Sequence, residues 1–294
     1  MAHADVAGVP VPAAGVVLVG GRSARMGSPK GDLEWHGSTL LRRTTGVVAR
    51  VVGAPVIVVR AAGQALPPLG RDVEVHDDSR EGLGPLQGLA VGLRAASATA
   101  EVAFVCAVDL PFLHAAFVRA VLAAIDADVD VALPVAREHE QPLAAAYRTD
   151  LAEQADRLVA QGRLRLTGLL EGCRVHRLDA AALGADPGVA ALDPGLESLV
   201  NVNGPADYRL ARAEPAPEIT VETLGAPGGD ESRMRVVRAA TLAGAAQALA
   251  LQPDPQPRVI LNGDEVPWDA QLPLLRGDTL VLTWLDGPLP SMRP

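Results

Sequence analysis

The segment Leu18–Lys30 (LVGGRSARMGSPK) is the densest concentration of chemistry in the sequence. Glycines at Gly20 and Gly21 let backbone N–H groups approach a phosphate or a base with no Cβ in the way. Arg22, Arg25 and Lys30 follow in the same stretch and supply cations for a triphosphate. The spacing is neither the G-x-x-x-x-G-K-[ST] of a Walker loop nor the G-x-G-x-x-G of a dinucleotide fold. Further along, Asp109 ends the apolar run VAFVCAV and precedes Leu110-Pro111. A carboxylate there suits Mg²⁺, which takes one or two protein carboxylates together with phosphate oxygens and water. The other reading of Asp109 is the N-cap of the next helix. Asp77 and Asp78 lie in a turn-rich stretch and read either as an Asx turn or as a ligand contact. Asn201 and Asn203 flank a valine, so on a strand their amides would share one face.

These residues need a scaffold. Short apolar runs at Gly15–Val19, Pro55–Val59, Val73–Val75, Glu101–Val108 and Val129–Pro134 read as strands. Helical spacing covers Thr39–Val52, Gly88–Ala96, Ala115–Ile125, Leu151–Gln161 and Pro205–Arg212. The alternation predicts an α/β layer fold with a mainly parallel sheet. Ligands of such sheets bind beyond the carboxyl ends of the strands, where both the loop after Val19 and Asp109 fall. Ala180–Leu196 reads as irregular and Leu199–Val202 as a short β-like stretch. Ala213–Pro217 (AEPAP) is a linker by composition. Beyond it, strands at Ile219–Leu224, Arg233–Val237, Val259–Leu261 and Asp278–Trp284 surround a helix at Thr241–Leu251. That β-β-α-β-β order predicts a small α+β domain. The expected organisation is a lead-in over 1–13, a large domain over 14–212, a linker over 213–217, a second domain over 218–287 and a tail over 288–294.

Composition bounds the function. The 294 residues are 49% hydrophobic and 21% charged, which is globular rather than disordered. Aromatics are only 3%, so Val, Leu and Ala must build the core. A net charge of −9 implies no basic surface for duplex nucleic acid. Cys106 and Cys173 have no metal-type spacing, and Cys106 reads as a small buried residue. There is no apolar run of about 18 residues and no secretory leader pattern. The expectation is a soluble cytoplasmic protein without nucleic-acid or membrane partners.

LVGGRSARMGSPK resembles the L-A-G-G-x-S-x-R-M-G-x-D-K signature of molybdenum cofactor guanylyltransferases, within the wider sugar-nucleotide-type transferase superfamily. Further segments agree in the family's order. Asp78–Gly88 (DSREGLGPLQG) is similar to its D-x-x-P-G-x-G-P-L-x-G, Val108–Leu113 (VDLPFL) to its C-D-x-P-F-L, Gln141–Arg148 (QPLAAAYR) to its Q-P-L-x-A-x-Y, and Asn201–Pro205 (NVNGP) to its N-x-N-T-P. The resemblance covers residues 14 to about 212 and implies a Rossmann-like, three-layer nucleotidyltransferase fold. It implies nucleotide contacts at Leu18, Gly20, Gly21, Lys30, Asp78 and Asp109, with Asp109 as the ligand of Mg²⁺. It places Gln141, Asn201 and Asn203 on the acceptor side. The implied reaction is in-line attack by the terminal phosphate of molybdopterin on the α-phosphate of GTP, with pyrophosphate leaving. Lys30, Arg25 and Mg²⁺ on Asp109 would neutralise charge, and no covalent intermediate is needed.

Cytidylyltransferase relatives read L-A-A-G in the loop and lack G-P-L-x-G, so Gly20-Gly21 and Gly84-Pro85-Leu86 favour GTP. The sequence departs from the family at Ser28-Pro29, where x-Asp is usual before the lysine. Proline there fixes φ and changes how Lys30 is presented. The alternatives are a cytidylyltransferase or other small-molecule nucleotidyltransferase, or a catalytically weak nucleotide-binding protein with an interaction module. Ile219–Leu285 resembles the ubiquitin-like β-grasp sulfur carriers, with the V-N-G-x-x-V-P and G-D-x-[VIL] features inside VILNGDEVPWDAQLPLLRGDTLVLTWLDG. The sequence runs past Asp286-Gly287-Pro288 without a terminal diglycine. The expectation for this region is therefore a docking or regulatory module, with cofactor-synthesis or molybdoenzyme-maturation proteins as partners.

Overall fold

The computed structural model describes residues 12–20, 28–78, 82–136, 138–226, 232–252 and 254–285. They fall into two compact units that divide between Glu214 and Pro215.

The first unit is built on strands β1 (Ala14–Leu18), β2 (Val56–Ala61), β3 (Val73–Asp78), β4 (Val102–Ala107), β5 (Val131–Ala136), β6 (Ala144–Arg148) and β7 (Val175–Leu178). Their order in the sheet is β7-β5-β6-β4-β1-β2-β3. The pairs β7–β5, β4–β1, β1–β2 and β2–β3 are parallel. Strand β6 runs antiparallel to both β4 and β5. The sequence reading lacks β6 and β7. It also places Asp78 in a loop, whereas Asp78 closes β3, in register with Ala61 of β2.

Helices α1 (Leu40–Ala49), α2 (Pro85–Ala96), α3 (Ala115–Ala123), α4 (Leu151–Ala160) and α5 (Pro205–Ala213) accompany the sheet. Several start on a local signal. Thr39 caps α1 by accepting Arg42 N–H at 3.2 Å. His114 caps α3 by accepting Ala116 N–H on Nδ1 at 3.1 Å. Gly84, at φ 74°, precedes Pro85, whose missing N–H costs nothing at the first helical position. Leu86, Leu89 and Leu93 of α2 share a core with Val16 and Leu18 of β1, Ile57 and Val59 of β2, and Ala155 and Leu158 of α4. Each such leucine contributes about 1.5–3 kcal/mol of apolar burial. On the other face, a Cβ at Gly15 would run into Val48 of α1, so glycine sets how closely α1 packs. Phe104 of β4 meets Phe117 of α3 edge-on, with centroids 6.4 Å apart.

Two expectations are corrected. Ala180–Leu196 is not irregular throughout: it holds short helices at Ala180–Gly184 and Pro187–Leu192, each capped by an aspartate, Asp179 and Asp186. Leu199–Val202 is not β-like. A 3₁₀ turn covers Glu197–Leu199 and extended chain follows, so Asn201 and Asn203 do not lie on a paired strand.

The second unit contains β8 (Glu218–Leu224), β9 (Ser232–Arg238), α6 (Leu242–Ala248), β10 (Arg258–Leu261), β11 (Asp264–Val266) and β12 (Thr279–Thr283). The sheet order is β9-β8-β12-β10-β11. Only β8–β12 is parallel. Ile219, Val221, Leu242, Ala245, Val259, Leu280 and Leu282 form its own core between sheet and helix. Among the described residues of the whole chain, no helix is long and apolar enough to cross a membrane.

Candidate active site

The carboxyl ends of β1 and β4 are tied together, because Val108 N–H donates to the Leu18 carbonyl at 3.1 Å. Chain leaving β1 continues along β2, with Val19 N–H on the Val59 carbonyl at 2.9 Å. Gly20 then presses against β2: a Cβ there would lie 3.2 Å from Ala61 N and 3.5 Å from the Arg60 carbonyl carbon. The close backbone approach thus favours a residue without a Cβ at this position. Leu18 turns its side chain into the core, leaving only its backbone for a nucleotide. Gly21, Arg22 and Arg25 lie outside the described residues.

Lys30 opens a 3₁₀ turn over Lys30–Asp32. Pro29 precedes it at φ −57°, and its carbonyl accepts Asp32 N–H at 3.1 Å. Proline therefore fits this turn without strain, since only its carbonyl is used. The turn aims Lys30 at the sheet edge, where its Nζ lies 2.7 Å from Asp109 Oδ2. Side-chain exposures are 20% for Lys30 and 17% for Asp109, so the pair sits in a recess open to solvent.

The turn after Asp109 is held from several sides. Arg43 of α1, a buried arginine, donates Nε to the Pro111 carbonyl at 2.7 Å. Val202 N–H donates to the Asp109 carbonyl at 3.0 Å, which brings the Asn201–Asn203 segment alongside the Asp109 backbone. His114 N–H donates to Ser198 Oγ at 3.0 Å. Trp35, in a small hairpin that follows Lys30, packs edge-on against Phe112. That hairpin is fastened to α5: Arg212 Nε reaches Glu34 Oε2 at 2.6 Å and Tyr208 donates to the Glu34 carbonyl at 2.6 Å. Partial burial works to raise the Glu34 carboxyl, but Arg212 and the Gly37 N–H outweigh it and hold it below its usual range.

Strand β6 brings a further element to this edge. Ala144 stands opposite Cys106 in register, and Ala107 N–H donates to the Leu143 carbonyl at 3.0 Å. Gln141 stands just before β6, across a tight turn closed by Ala144 N–H on the Gln141 carbonyl at 3.0 Å. Its own N–H is bound by the Pro134 carbonyl at 2.8 Å. Asp78 stands on β3, which is three strand spacings from β4, roughly 14 Å. Its neighbour Asp77 is engaged by Arg60, Nε to Oδ1 at 2.7 Å. Arg60 also donates Nη1 to the Gln64 carbonyl at 2.8 Å, and the Gln64 amide accepts Ala61 N–H at 3.2 Å. Alternation along β3 sends Asp77 and Asp78 to opposite faces.

Lys30, Asp109 and the Asn201–Asn203 segment are thus assembled at one place, with Asp78 at the far end of the row and Gln141 tied to the Pro134 carbonyl of β5. Burial pushes the Cys106 thiol far up, and the nearby Asp109 adds to this, so no thiolate nucleophile is available beneath the site. Among the described residues, no group of three or more His, Cys, Asp or Glu side chains converges as a metal cage. Sequence reasoning does not find Arg43, Trp35, Asp193 or Ser198. A buried arginine on a helix and a capping carboxylate in a loop carry no motif, and only the Trp35–Phe112 pair has a partial signal, in VDLPFL.

Comparison with known proteins matches residues 15–176 to the MobA-like NTP transferase domain. A probable molybdenum cofactor guanylyltransferase of Mycobacterium marinum is 45% identical over 170 residues, covering 56% of this chain and 82% of that protein. The corresponding Mycobacterium tuberculosis protein, with the same name, is 42% identical over 180 residues, covering 60% and 87%. The crystal structure of molybdopterin-guanine dinucleotide biosynthesis protein A from Archaeoglobus fulgidus superposes with a TM-score of 0.55 at 22% identity, covering 68% of this chain and 96% of its own. At that identity the superposition establishes a common fold.

Proposed function

The chain belongs to the MobA-like NTP transferase family, and from that membership we propose that it is a molybdenum cofactor guanylyltransferase, transferring GMP from GTP to molybdopterin with release of pyrophosphate. The observation that carries the reading is the Lys30–Asp109 pair at the carboxyl ends of β1 and β4, bordered by Asn201–Asn203. A transferase of this kind must gather the α-phosphate, the leaving pyrophosphate and an attacking phosphate, all anionic, at one point. Its barrier is lowered by positioning and by charge neutralisation.

Asp109 suits a hard divalent cation. Its carboxylate already attracts a cation, the Lys30 ammonium, into hydrogen-bond contact. With a single protein carboxylate in place, the remaining donors would come from GTP phosphate oxygens, water and the nearby amides, as Mg²⁺ prefers. Bound there, Mg²⁺ would neutralise charge on the α-phosphate and the leaving group. Lys30 and Arg25 bind and orient the triphosphate. Gly20 and Gly21 offer backbone N–H groups to it, and Asp78 contacts the guanosine end. Asn201, Asn203 and Gln141 hold the acceptor phosphate and pterin. The terminal phosphate of molybdopterin attacks in line, its oxygen bonding to the α-phosphorus as the bond to the bridging oxygen of pyrophosphate breaks.

The second unit is read as a docking module of the β-grasp type for cofactor-synthesis or molybdoenzyme-maturation proteins. Its mixed five-stranded sheet with one packed helix supports that reading. A cytoplasmic location goes with it. The deciding experiment supplies purified protein with Mg²⁺, molybdopterin and either GTP or CTP. Pyrophosphate release with GTP preferred is the expected result, and GTP binding with no release would overturn the transferase reading. In the same assay Asp109→Asn should lose about a thousandfold in rate, the equivalent of several kcal/mol of metal-centred stabilisation.

A further inference from the structure

The turn Asp109–His114, which carries the metal-site carboxylate from β4 into α3, is bonded at both ends by one short stretch of chain. At its start the Asp109 carbonyl accepts Val202 N–H at 3.0 Å, and at its end His114 N–H donates to Ser198 Oγ at 3.0 Å. The stretch from Ser198 to Val202 therefore acts as a clamp across the turn. The clamp has its own foundation. Asp193 is 2% exposed, and its carboxylate accepts Glu197 N–H at 2.7 Å and Ser198 N–H at 3.4 Å. Its backbone carbonyl takes Leu196 N–H at 2.9 Å. Leu196 is held at φ 51°, a left-handed conformation that a leucine adopts only under constraint. Glu197–Leu199 then closes as a 3₁₀ turn, with Val200 N–H on the Glu197 carbonyl at 2.9 Å, and the next residues are Asn201 to Asn203.

A loop between two surface helices needs no buried carboxylate; an exposed serine or asparagine would cap it at lower desolvation cost. From this we infer that Asp193 is a positioning residue of the transferase site. Through Ser198 and Val202 it fixes the Asp109 carboxylate and the Asn201–Asn203 amides relative to one another. Nothing in this role touches substrate. The inference rests on the guanylyltransferase reading for its effect on rate, while the clamp itself can be read without turnover.

The test uses full-length Asp193→Ala, Asp193→Asn and Ser198→Ala proteins. Steady-state pyrophosphate release with GTP and molybdopterin gives kcat and KM, and amide hydrogen exchange gives protection over 109–114 and 198–203. Asp193→Ala should lower kcat about 10- to 100-fold with the KM for GTP changed less than about twofold. It should also speed exchange in both segments. Asp193→Asn keeps an acceptor oxygen and should restore most of the rate and protection. Unchanged kcat in Asp193→Ala, failure of Asn to rescue, or unaltered exchange over 109–114 would each overturn the assignment. Should Asp193→Ala not fold, Ser198→Ala carries the same readouts with the same expected direction. If the wild type releases no pyrophosphate, the transferase reading falls, and the exchange pattern still decides the clamp.

Discussion

The indole of Trp35 meets the ring of Phe112 edge-on, with centroids 5.4 Å apart and planes at 85°. Trp35 stands five positions after Lys30 and Phe112 three after Asp109. The contact therefore joins the two short segments whose side chains form the central ion pair. An aromatic pair of this geometry adds about 0.5–1.5 kcal/mol beyond its area. Phe112→Ala should lower stability by about 3 kcal/mol and reduce kcat as well, because Lys30 and Asp109 lose their common brace. Phe112→Leu, which keeps an apolar side chain of most of the volume without the edge-on contact, should fall between the two. Thermal melts and steady-state rates on the same samples check this, and a rate that follows stability in neither variant would detach the pair from the site.

On the proposed reading, a divalent cation at Asp109 would compete with Lys30 for the same carboxylate. With Nζ 2.7 Å from Asp109 Oδ2, the ammonium would have to yield to such a cation and would then be free for phosphate. Removing it should make the free protein a better cation site and a worse enzyme. Lys30→Met is expected to bind Mn²⁺ about tenfold more tightly without nucleotide, by electron paramagnetic resonance titration, while its GTP turnover drops about a hundredfold or more. Equal or weaker Mn²⁺ binding in the variant would show that Lys30 is not the occupant the metal displaces.

Much of this arrangement is legible in the sequence, for identifiable reasons. Apolar runs such as Val56–Val59 and Ala103–Cys106 are buried on both faces, which is the signature of interior strands of a covered sheet. Once those strands are placed, the chain after β1 and Asp109 after β4 fall at the same carboxyl edge, where Lys30 and Asp109 meet. Strand β6 escapes because Ala144, Ala145 and Ala146 are all buried and give neither alternation nor a β-branched signal. Leu199–Val202 looks β-like because it is apolar with valines, whereas the Asp193 carboxylate binds Glu197 and Ser198 N–H groups and bends the chain into a 3₁₀ turn. Arg43 carries no motif in the sequence, and only the fold shows its Nε on the Pro111 carbonyl. Local pattern reports the strands; side chain-to-backbone bonds between distant segments, which set the site, leave no periodicity to read.

Burial pushes the Asp193 carboxyl up to about 6, with Glu197 adding to the shift while the Ser198 and Glu197 hydrogen bonds oppose it. A carboxyl raised above its ordinary 3.8 means that the folded state binds more protons between about pH 4 and 6. Its contribution to stability is therefore largest in acid and declines as pH rises through 6. Asparagine at 193 stays neutral throughout. The difference in Tm between Asp193→Asn and wild type should shift toward the variant from pH 4 to about pH 6.5 and level off above. Differential melts in matched buffers measure it, and a difference flat with pH would mean that Asp193 titrates in its normal range.

The second unit has a core of its own and a polar lock on one edge. Asp278, buried, accepts Leu275 N–H at 2.7 Å and the Asn262 side-chain amide at 2.9 Å, while Asn262 Oδ1 accepts Thr279 N–H at 2.9 Å. Asn262 sits at φ 53°, a left-handed conformation that asparagine tolerates better than most residues. Asp278→Ala would leave these buried donors unmatched and should destabilise this unit by about 2–4 kcal/mol. The catalytic groups proposed above all belong to the first unit. A chain ending at Glu214 should therefore fold and keep GTP affinity and pyrophosphate release close to those of the full-length protein, and Asp278→Ala in the full chain should lower the melting of the second unit while sparing turnover. Calorimetry resolves the unit transitions, and the release assay follows the chemistry. Loss of GTP turnover in a folded 1–214 chain would assign the second unit a direct part in the reaction.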